Sequence, residues 1–151
     1  MFFRGFQVLL LVTIASAIQI RPHPSAESAE VGPYEYRSFF SRFTWSEAES
    51  YCRSAGGNLV SIHSEQQQRY IERQVWATGT GTVWIGARFD TTGLLIWSDR
   101  SRWNFNKWRP GNPMLSNRIS CIYTTTARNA AGWGNTNCQT RLPFICQFPR
   151  K

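Results

Sequence analysis

The sequence has 151 residues, of which 42% are hydrophobic and 17% are charged, and its formal net charge is +8. The length favours one domain, and the hydrophobic content excludes an intrinsically disordered chain because it can supply a core. Residues 18–74 carry six Arg against seven Glu, whereas residues 75–151 carry eight Arg and two Lys against two Asp. This basic half bears on the partners and solubility of the protein, not on its fold.

The N-terminus has the three parts of a secretory signal peptide. Arg4 supplies the positive charge, residues 8–15 are apolar, and the cleavage motif is Ala-Ser-Ala at residues 15–17. A membrane anchor is the weaker alternative, because the apolar stretch of about 12 residues is shorter than the roughly 20 that span a bilayer. We predict a signal peptide at residues 1–17, a secreted protein, and a spacer or short propeptide at the Pro-, Ser- and Glu-rich residues 18–33.

The chain has four cysteines, which are Cys52, Cys121, Cys138 and Cys146. In a secreted protein they most simply form two disulfides, for which three connectivities are possible. Free thiols or a zinc site are the alternatives. The cysteine spacings do not match those of zinc sites, and His23 and His63 are distant in sequence.

Two motifs predict helices in the first half of the chain. Thr44 and Glu47 have capping-box spacing, and apolar residues then recur at helical spacing until Gly56 and Gly57. A second capping box at residues 64–67 begins another predicted helix. The apolar stripe of that helix is Tyr70, Ile71 and Val75.

Short apolar runs follow residue 80 and predict strands at residues 83–86, 94–97, 119–126 and 142–148. Helices followed by strands indicate the α+β class. Residues 98–120 (SDRSRWNFNKWRPGNPMLSNRIS) have little strand character. A loop of that length inside a compact domain is usually functional.

Taken together, these motifs resemble the C-type lectin-like domain family. Residues 45–52 (WSEAESYC) are similar to the family's first helix, residues 56–64 (GGNLVSIHS) to its connection between helices, and residues 83–86 (VWIG) to its core strand. Further motifs follow in the family's order, namely Trp97-Ser98-Asp99, Cys121, Trp133, Cys138 and PFIC ending at Cys146. The resemblance covers about residues 34–149, so we assign a domain to residues 34–151.

This resemblance implies an α+β fold with two helices, small antiparallel sheets and a long irregular loop region. It also implies the disulfides Cys52–Cys146 and Cys121–Cys138. Within the family, residues 83–88, 101–105 and 141–146 resemble the subgroup of eosinophil major basic protein (bone marrow proteoglycan). That subgroup implies a cationic, calcium-independent binder of sulfated glycans that can also damage membranes.

Sugar-binding members of the family bind calcium through carboxylates and amides, and the matching positions here have no carboxylate. The family's Glu-Pro-Asn or Gln-Pro-Asp triplet falls on residues 112–114 (NPM), its next acidic ligand on Ile119, and its Asn-Asp pair on residues 134–135 (GN). Calcium takes six to eight oxygens, several from carboxylates, so two amides are a poor ligand set. We expect no calcium, no other metal and no cofactor.

The two amides, Asn112 and Asn135, are either glycan contacts or partners of the loop backbone. The proline of the triplet shapes the loop, and the family often has a cis peptide there.

The long loop carries five basic residues with aromatic residues between them. Arginine presents a planar fork of donors that matches sulfate, phosphate or carboxylate bidentately. Because few acids follow residue 75, we expect these charges to bind anions rather than form surface ion pairs, and we place Trp103 and Trp108 in the core. The predicted glycan-binding residues are Arg100, Arg102, Lys107, Arg109, Asn112, Arg118 and Asn135. Arg88, Arg128 and Arg141 extend this patch if folding brings them to the same face.

Nothing in the sequence indicates catalysis. His63 is the only histidine of the domain, and the family motif makes it a structural connector. There is no nucleophile elbow, zinc-ligand set or Gly-rich phosphate loop. We predict a secreted, non-enzymatic protein that recognises sulfated or acidic glycans, heparin-like or microbial, in innate defence, with no physiological nucleic-acid partner. The alternatives are a calcium-dependent lectin for neutral sugars and a cationic toxin that acts on anionic membranes.

Overall fold

The structure, a computed structural model, describes residues 31–115 and 120–151. The predicted signal peptide, most of the predicted spacer, Arg118 and Ile119 lie outside the described residues. In the described ranges neither helix has the length and apolar character needed to cross a bilayer.

The described residues form two helices and seven strands, which confirms the α+β class and both predicted helices. The helices are α1 (Trp45–Ser54) and α2 (Glu65–Ala77). The strands are β1 (Tyr34–Phe43), β2 (Asn58–Leu59), β3 (Thr82–Phe89), β4 (Leu95–Trp97), β5 (Cys121–Thr125), β6 (Gly132–Thr136) and β7 (Leu142–Pro149).

One sheet joins the two ends of the domain. The strand order is β1-β7-β3-β5-β6, with β2 paired to β7 and β4 paired to β3. β1 is antiparallel to β7, so that Tyr34 lies opposite Pro149, and β3 runs parallel to β7 where Trp84 meets Phe144. In chain order, α1 connects β1 to β2, α2 connects β2 to β3, and the long loop connects β4 to β5, so all three connect strands of a single sheet.

The strand prediction missed β1, β2 and β6, and the first element of the domain is a strand rather than a helix. Strand β6 has the sequence GWGNT, in which Gly and Asn disfavour an extended strand. It is a strand because every residue pairs with β5, from Gly132 opposite Thr125 to Thr136 opposite Cys121. Tertiary pairing, which local sequence does not report, decides these elements.

The caps of the two helices differ. At α1 the Thr44 side chain accepts from the Glu47 N–H at 3.3 Å, and the Glu47 carboxylate accepts from the Thr44 N–H at 2.9 Å. This is the complete predicted capping box. At α2 the Ser64 hydroxyl accepts from the Gln67 N–H, but the Gln67 side chain accepts from the His63 N–H instead of closing the box. Only one of the two hydrogen bonds of the second capping box therefore forms, and the Gln67 side chain instead holds the segment before α2 in place.

Both predicted disulfides are present. Cys52–Cys146 ties α1 to β7 with a Cα–Cα distance of 5.6 Å, and Cys121–Cys138 closes the β5–β6 region at 5.0 Å. Their sequence separations are 94 and 17 residues. By the chain-entropy model they contribute about 4–5 and about 3 kcal/mol to the free energy of unfolding. The two disulfides hold in place the helix and strands that surround the candidate site.

Candidate binding site

The long loop is held against β6 at its middle. The Trp133 N–H donates to the Lys107 carbonyl at 2.6 Å, and the Arg109 N–H donates to the Trp133 carbonyl at 3.0 Å. Gly132 permits this approach, since its φ is +123° and a Cβ there would lie 2.6 Å from the Lys107 oxygen. The loop is thus fixed by backbone contacts in its centre.

Aromatic packing fixes the same part of the loop. Trp103 stacks on the buried Trp97, with ring centroids 4.9 Å apart. Phe105 and Trp108 pack against Trp133 in T-shaped geometry, with centroid distances of 5.8 and 5.7 Å. Trp133 itself is fully buried. Trp103 and Trp108 are half-buried against the core, which agrees with their predicted packing role.

Asp99, at the start of the loop, accepts four hydrogen bonds. Its Oδ1 accepts from the Ser101 N–H at 2.9 Å and the Ser101 hydroxyl at 2.5 Å. Its Oδ2 accepts from the Ser61 hydroxyl at 2.5 Å and the Gln147 amide at 2.9 Å. Burial acts to raise the pKa of Asp99, but the hydrogen bonds from Ser101, Ser61 and Gln147 outweigh it and hold the pKa below its ordinary value.

His63 joins the same network to the loop. Its Nε2 lies 3.0 Å from the hydroxyls of both Ser61 and Ser101, and its Nδ1 lies 2.7 Å from the Asn104 amide oxygen. The imidazole ring also contacts Trp97, with centroids 5.8 Å apart. The sequence analysis gave Asp99 no role beyond its place in the family motif Trp97-Ser98-Asp99. The network joins three separate parts of the chain, residues 61–63, residues 99–104 and Gln147, so no local motif could have revealed it.

The two amides at the family's calcium positions bond to the loop and its neighbouring strand. Asn135 is 2% exposed, its Oδ1 accepts from the Met114 N–H at 2.7 Å, and its Nδ2 donates to the Met114 carbonyl and the Ser120 hydroxyl, both at 2.9 Å. The Asn112 side chain accepts from the Asn135 N–H at 3.3 Å, and the Asn112–Pro113 peptide is cis. The Asn135 amide is therefore closed to a ligand. Within the described ranges no three His, Cys, Asp or Glu side chains are placed to hold a metal ion.

Two basic side chains of the second half form ion pairs with acids of the helical half. Lys107 Nζ lies 3.0 Å from the Glu65 carboxylate on α2, and Arg141 Nη1 lies 3.2 Å from the Glu47 carboxylate on α1. The expectation that a shortage of acids after residue 75 excludes surface ion pairs is wrong for these two cations. The partners are 42 and 94 residues away in sequence.

The remaining predicted arginines fall into two groups. Arg109 is half-buried: its Nη1 donates to the Tyr123 hydroxyl at 3.0 Å, and its buried Nε has no hydrogen-bond partner among the described residues. Arg100 and Arg102 are exposed, and no carboxylate of the described ranges forms an ion pair with either. Arg100 also has a left-handed backbone, with φ +64°, which is uncommon for a residue with a side chain. Among the members of the predicted set that the structure describes, Arg100 and Arg102 are the exposed arginines without a carboxylate partner.

Folding brings together only some of the arginines that were expected to extend the basic patch. Arg88 and Arg100 line one cleft, whereas Arg141 lines another with its partner Glu47. Arg128 is exposed and lies on neither.

Comparison with known proteins identifies the family to which this fold belongs. The model of the Lectin C-type domain matches residues 41–148. The chain belongs to the C-type lectin family. The C-type lectin BML-1 of Bungarus multicinctus is 36% identical over 119 residues, which are 74% of this chain and 75% of that protein. Proteoglycan 3 of Homo sapiens is 36% identical over 109 residues, covering 70% of this chain and 47% of that one.

Among solved structures, a calcium-independent type II antifreeze protein aligns with a TM-score of 0.68 at 31% identity, covering 78% of this chain and 88% of that one. The family prediction is confirmed, and the match to proteoglycan 3, a relative of major basic protein, agrees with the subgroup predicted from the sequence.

Proposed function

We propose that this C-type lectin is a secreted, non-enzymatic protein of innate defence that binds anionic or sulfated glycans, heparin-like or on microbial surfaces, without calcium. The observation that carries the proposal is the Asn135 amide, which bonds to both backbone groups of Met114 at the family's calcium position. A buried amide whose oxygen already accepts a backbone N–H is a poor ligand for a dication, which needs several charged oxygens. The similarity to a calcium-independent type II antifreeze protein gives further support.

Charge supports the choice of ligand. Arg100 and Arg102 are two residues apart at the start of the loop, both exposed and without an ion pair in the described ranges. Their guanidinium groups offer the paired donors that fit a sulfate or carboxylate. Because Asp99 and Ser101 are hydrogen-bonded to each other, the backbone between and beside the two arginines is held in position. The ligand therefore meets donors on a fixed segment, which reduces the entropy lost on binding.

The experiment is retention on immobilised heparin, measured with calcium, with EDTA and over a salt gradient. We expect the same retention with calcium and EDTA, and a steep fall with salt, because contacts between several charges are screened and release counterions. Elution by EDTA would instead establish the calcium-dependent alternative.

A charge-matched pair of variants tests the position of the site. Arg100→Gln with Arg102→Gln should weaken retention far more than Arg42→Gln with Arg128→Gln, which removes the same charge from two other exposed residues. Equal losses would mean that net charge alone is responsible.

One observation supports membrane activity as a second candidate function. Met114 and Leu115 are 53% and 71% exposed in the basic loop, so this segment presents apolar side chains near cationic ones. We expect leakage from vesicles that contain anionic lipid if this function exists, and less leakage from Met114→Ser with Leu115→Ser. Intact anionic vesicles at high protein concentration would eliminate it.

A further inference from the structure

A second basic feature lies outside the calcium-position part of the loop. It is a cleft of about 550 Å³ between α1, the β3–β4 hairpin and the start of the long loop. Its lining includes three arginines, one glutamate and parts of two tryptophans, namely Arg53, Arg88, Arg100, Glu49, Trp45 and Trp97. The arginines come from α1, β3 and the long loop, so only the fold brings them together.

Glu49, the carboxylate of the cleft, is fully engaged. It is 7% exposed, and it accepts from the Arg53 Nε at 2.8 Å, the Asn58 amide at 2.9 Å, the Leu59 N–H at 2.8 Å and the Ser98 hydroxyl at 3.1 Å. The Arg53 guanidinium offsets the charge of Glu49, and the three uncharged donors satisfy the remaining hydrogen-bonding capacity of its carboxylate. The cleft therefore keeps the positive charge of its other two arginines.

Arg88 and Arg100 keep guanidinium N–H donors available for a ligand. The Arg88 guanidinium lies over the Trp45 ring at 5.8 Å, and its Nη1 makes one long hydrogen bond, 3.3 Å, to the Phe89 carbonyl. Arg100 is exposed at its left-handed position, and in the described ranges no carboxylate pairs with either arginine. Since each guanidinium has five N–H donors, both can bind an oxyanion bidentately.

The walls of the cleft are held rigidly. Helix α1 is tied to β7 by Cys52–Cys146, and the disulfide Cys121–Cys138 is itself part of the lining. The Trp45 N–H donates to the Cys138 carbonyl at 3.0 Å, and the Trp45 indole N–H donates to the Ile85 carbonyl at 2.9 Å. The wall formed by Trp45 is thus organised before a ligand arrives, which favours binding.

We propose that this cleft is an additional oxyanion-binding site, which shares Arg100 with the proposed loop site and in which Arg88 and Arg100 hold a sulfate, carboxylate or phosphate group against the wall formed by Trp45. A sulfated sugar residue is the ligand that fits best, because it adds an apolar ring face to the charged group. The choice of a sugar rests on the proposed function, whereas the oxyanion contact rests on the cleft alone.

The test is a titration of the 15N-labelled protein followed by NMR, with three probes in separate arms. The probes are a heparin-derived disaccharide, inorganic phosphate and sodium chloride of equal ionic strength. We expect the disaccharide to shift the Trp45 indole and Arg88 Nε–H signals, phosphate to shift them at higher concentration, and chloride to leave them unchanged.

Variants then test the two arginines. Arg88→Gln with Arg100→Gln should weaken disaccharide binding at least tenfold, because the charge-assisted hydrogen bonds of both guanidinium groups are lost. The control, Arg42→Gln with Arg128→Gln, removes equal charge outside the cleft and should change the affinity less than threefold. Arg88→Lys with Arg100→Lys keeps the charge and should still lose several-fold affinity, because lysine lacks the fork. Because Arg88 lies over Trp45, the folding control is the set of backbone amide signals away from the cleft, which should be unchanged in each variant without ligand.

The outcomes separate this inference from the proposed function. If the protein binds heparin and Arg88→Gln alone keeps full affinity, or if the lysine variant binds like the original, the cleft inference is wrong and the proposed function stands, because Arg88 belongs to the cleft and not to the loop site. If the disaccharide has no effect but phosphate shifts the cleft signals, the oxyanion site stands and glycan binding fails. Equal shifts with chloride would overturn the site altogether.

Discussion

Asn135 pairs with Met114 through its side chain much as one strand pairs with another. Its amide oxygen accepts the Met114 N–H at 2.7 Å and its amide nitrogen donates to the Met114 carbonyl at 2.9 Å. The partners are 21 residues apart, one on β6 and the other in the long loop. A side chain that matches the position of a metal ligand in the family thus serves here as a direct tie between strand and loop.

Removing this tie is expected to destabilise the protein. Asn135→Ala deletes the bonds to Met114 and Ser120 and leaves backbone groups of the loop without their partner, which should lower the free energy of unfolding by about 1–3 kcal/mol. Urea denaturation measures the change. Asn106→Ala, at an exposed asparagine, is the control and should cost less than about 0.5 kcal/mol. Similar midpoints for the two variants would contradict the tie.

Calcium is expected to leave the stability unchanged. A ligand that binds only the folded state raises the melting temperature, and the rise grows with its concentration relative to Kd. Because the Asn135 amide is already bonded to the loop, we expect equal melting temperatures in millimolar calcium and in EDTA, measured by calorimetry. A rise that grows with calcium concentration would count against calcium independence, even if heparin retention were unaffected.

Asp99 is expected to make the stability depend on acid pH. Its folded-state pKa is lowered, so its contribution is fully present above the unfolded value of about 3.9 and is lost as pH falls through the folded value. Asp99→Asn should therefore be less stable than the original protein by a constant amount from about pH 5 to 7, and this difference should shrink below about pH 4. Urea midpoints across that range measure it. A difference that stays constant down to pH 2 would show that the charge of Asp99 contributes nothing.

Gly132 is expected to be needed for the loop to lie on β6. An added Cβ would fall 2.6 Å from the Lys107 oxygen and 3.0 Å from the Arg109 nitrogen, so Gly132→Ala should push this segment away. Gly93→Ala is a matched control, since Gly93 also has a positive φ, +84°, but nothing within 4 Å of the added atom. Both changes carry the backbone cost of about 1–2 kcal/mol, and only Gly132→Ala should exceed it and reduce heparin retention. Equal effects in urea denaturation and on heparin would mean that the close approach is unimportant.

The local features of the fold were readable from the sequence because their causes are local. Thr44 and Glu47 form the complete capping box that their spacing predicts, and Ile71 and Val75 are buried as the helical stripe requires. The cysteine count restricted the disulfides to three pairings, and the family resemblance selected the pair that the structure contains. Strand β6 escaped prediction because its glycines and asparagine are extended only through their pairing with β5.

The predicted site was readable in composition but not in arrangement. The absence of carboxylates at the positions that match the family's calcium ligands is a fact of the sequence. That Asn135 is closed onto Met114, that Lys107 is paired with Glu65, and that Arg109 is half-buried against Tyr123 are facts of the fold. Local spacing cannot report contacts between residues 14 to 42 positions apart.

By itself, the sequence determined which chemical groups this protein contains. They are an arginine-rich second half, four cysteines that can form two disulfides, and amides instead of carboxylates at the positions that match the family's calcium ligands. Only the tertiary structure decided which of those groups are free. An ion pair forms wherever folding brings opposite charges within about 4 Å, whatever their separation along the chain. The fold therefore uses Lys107 and Arg141 in pairs and leaves Arg88, Arg100 and Arg102 without a carboxylate partner in the described ranges.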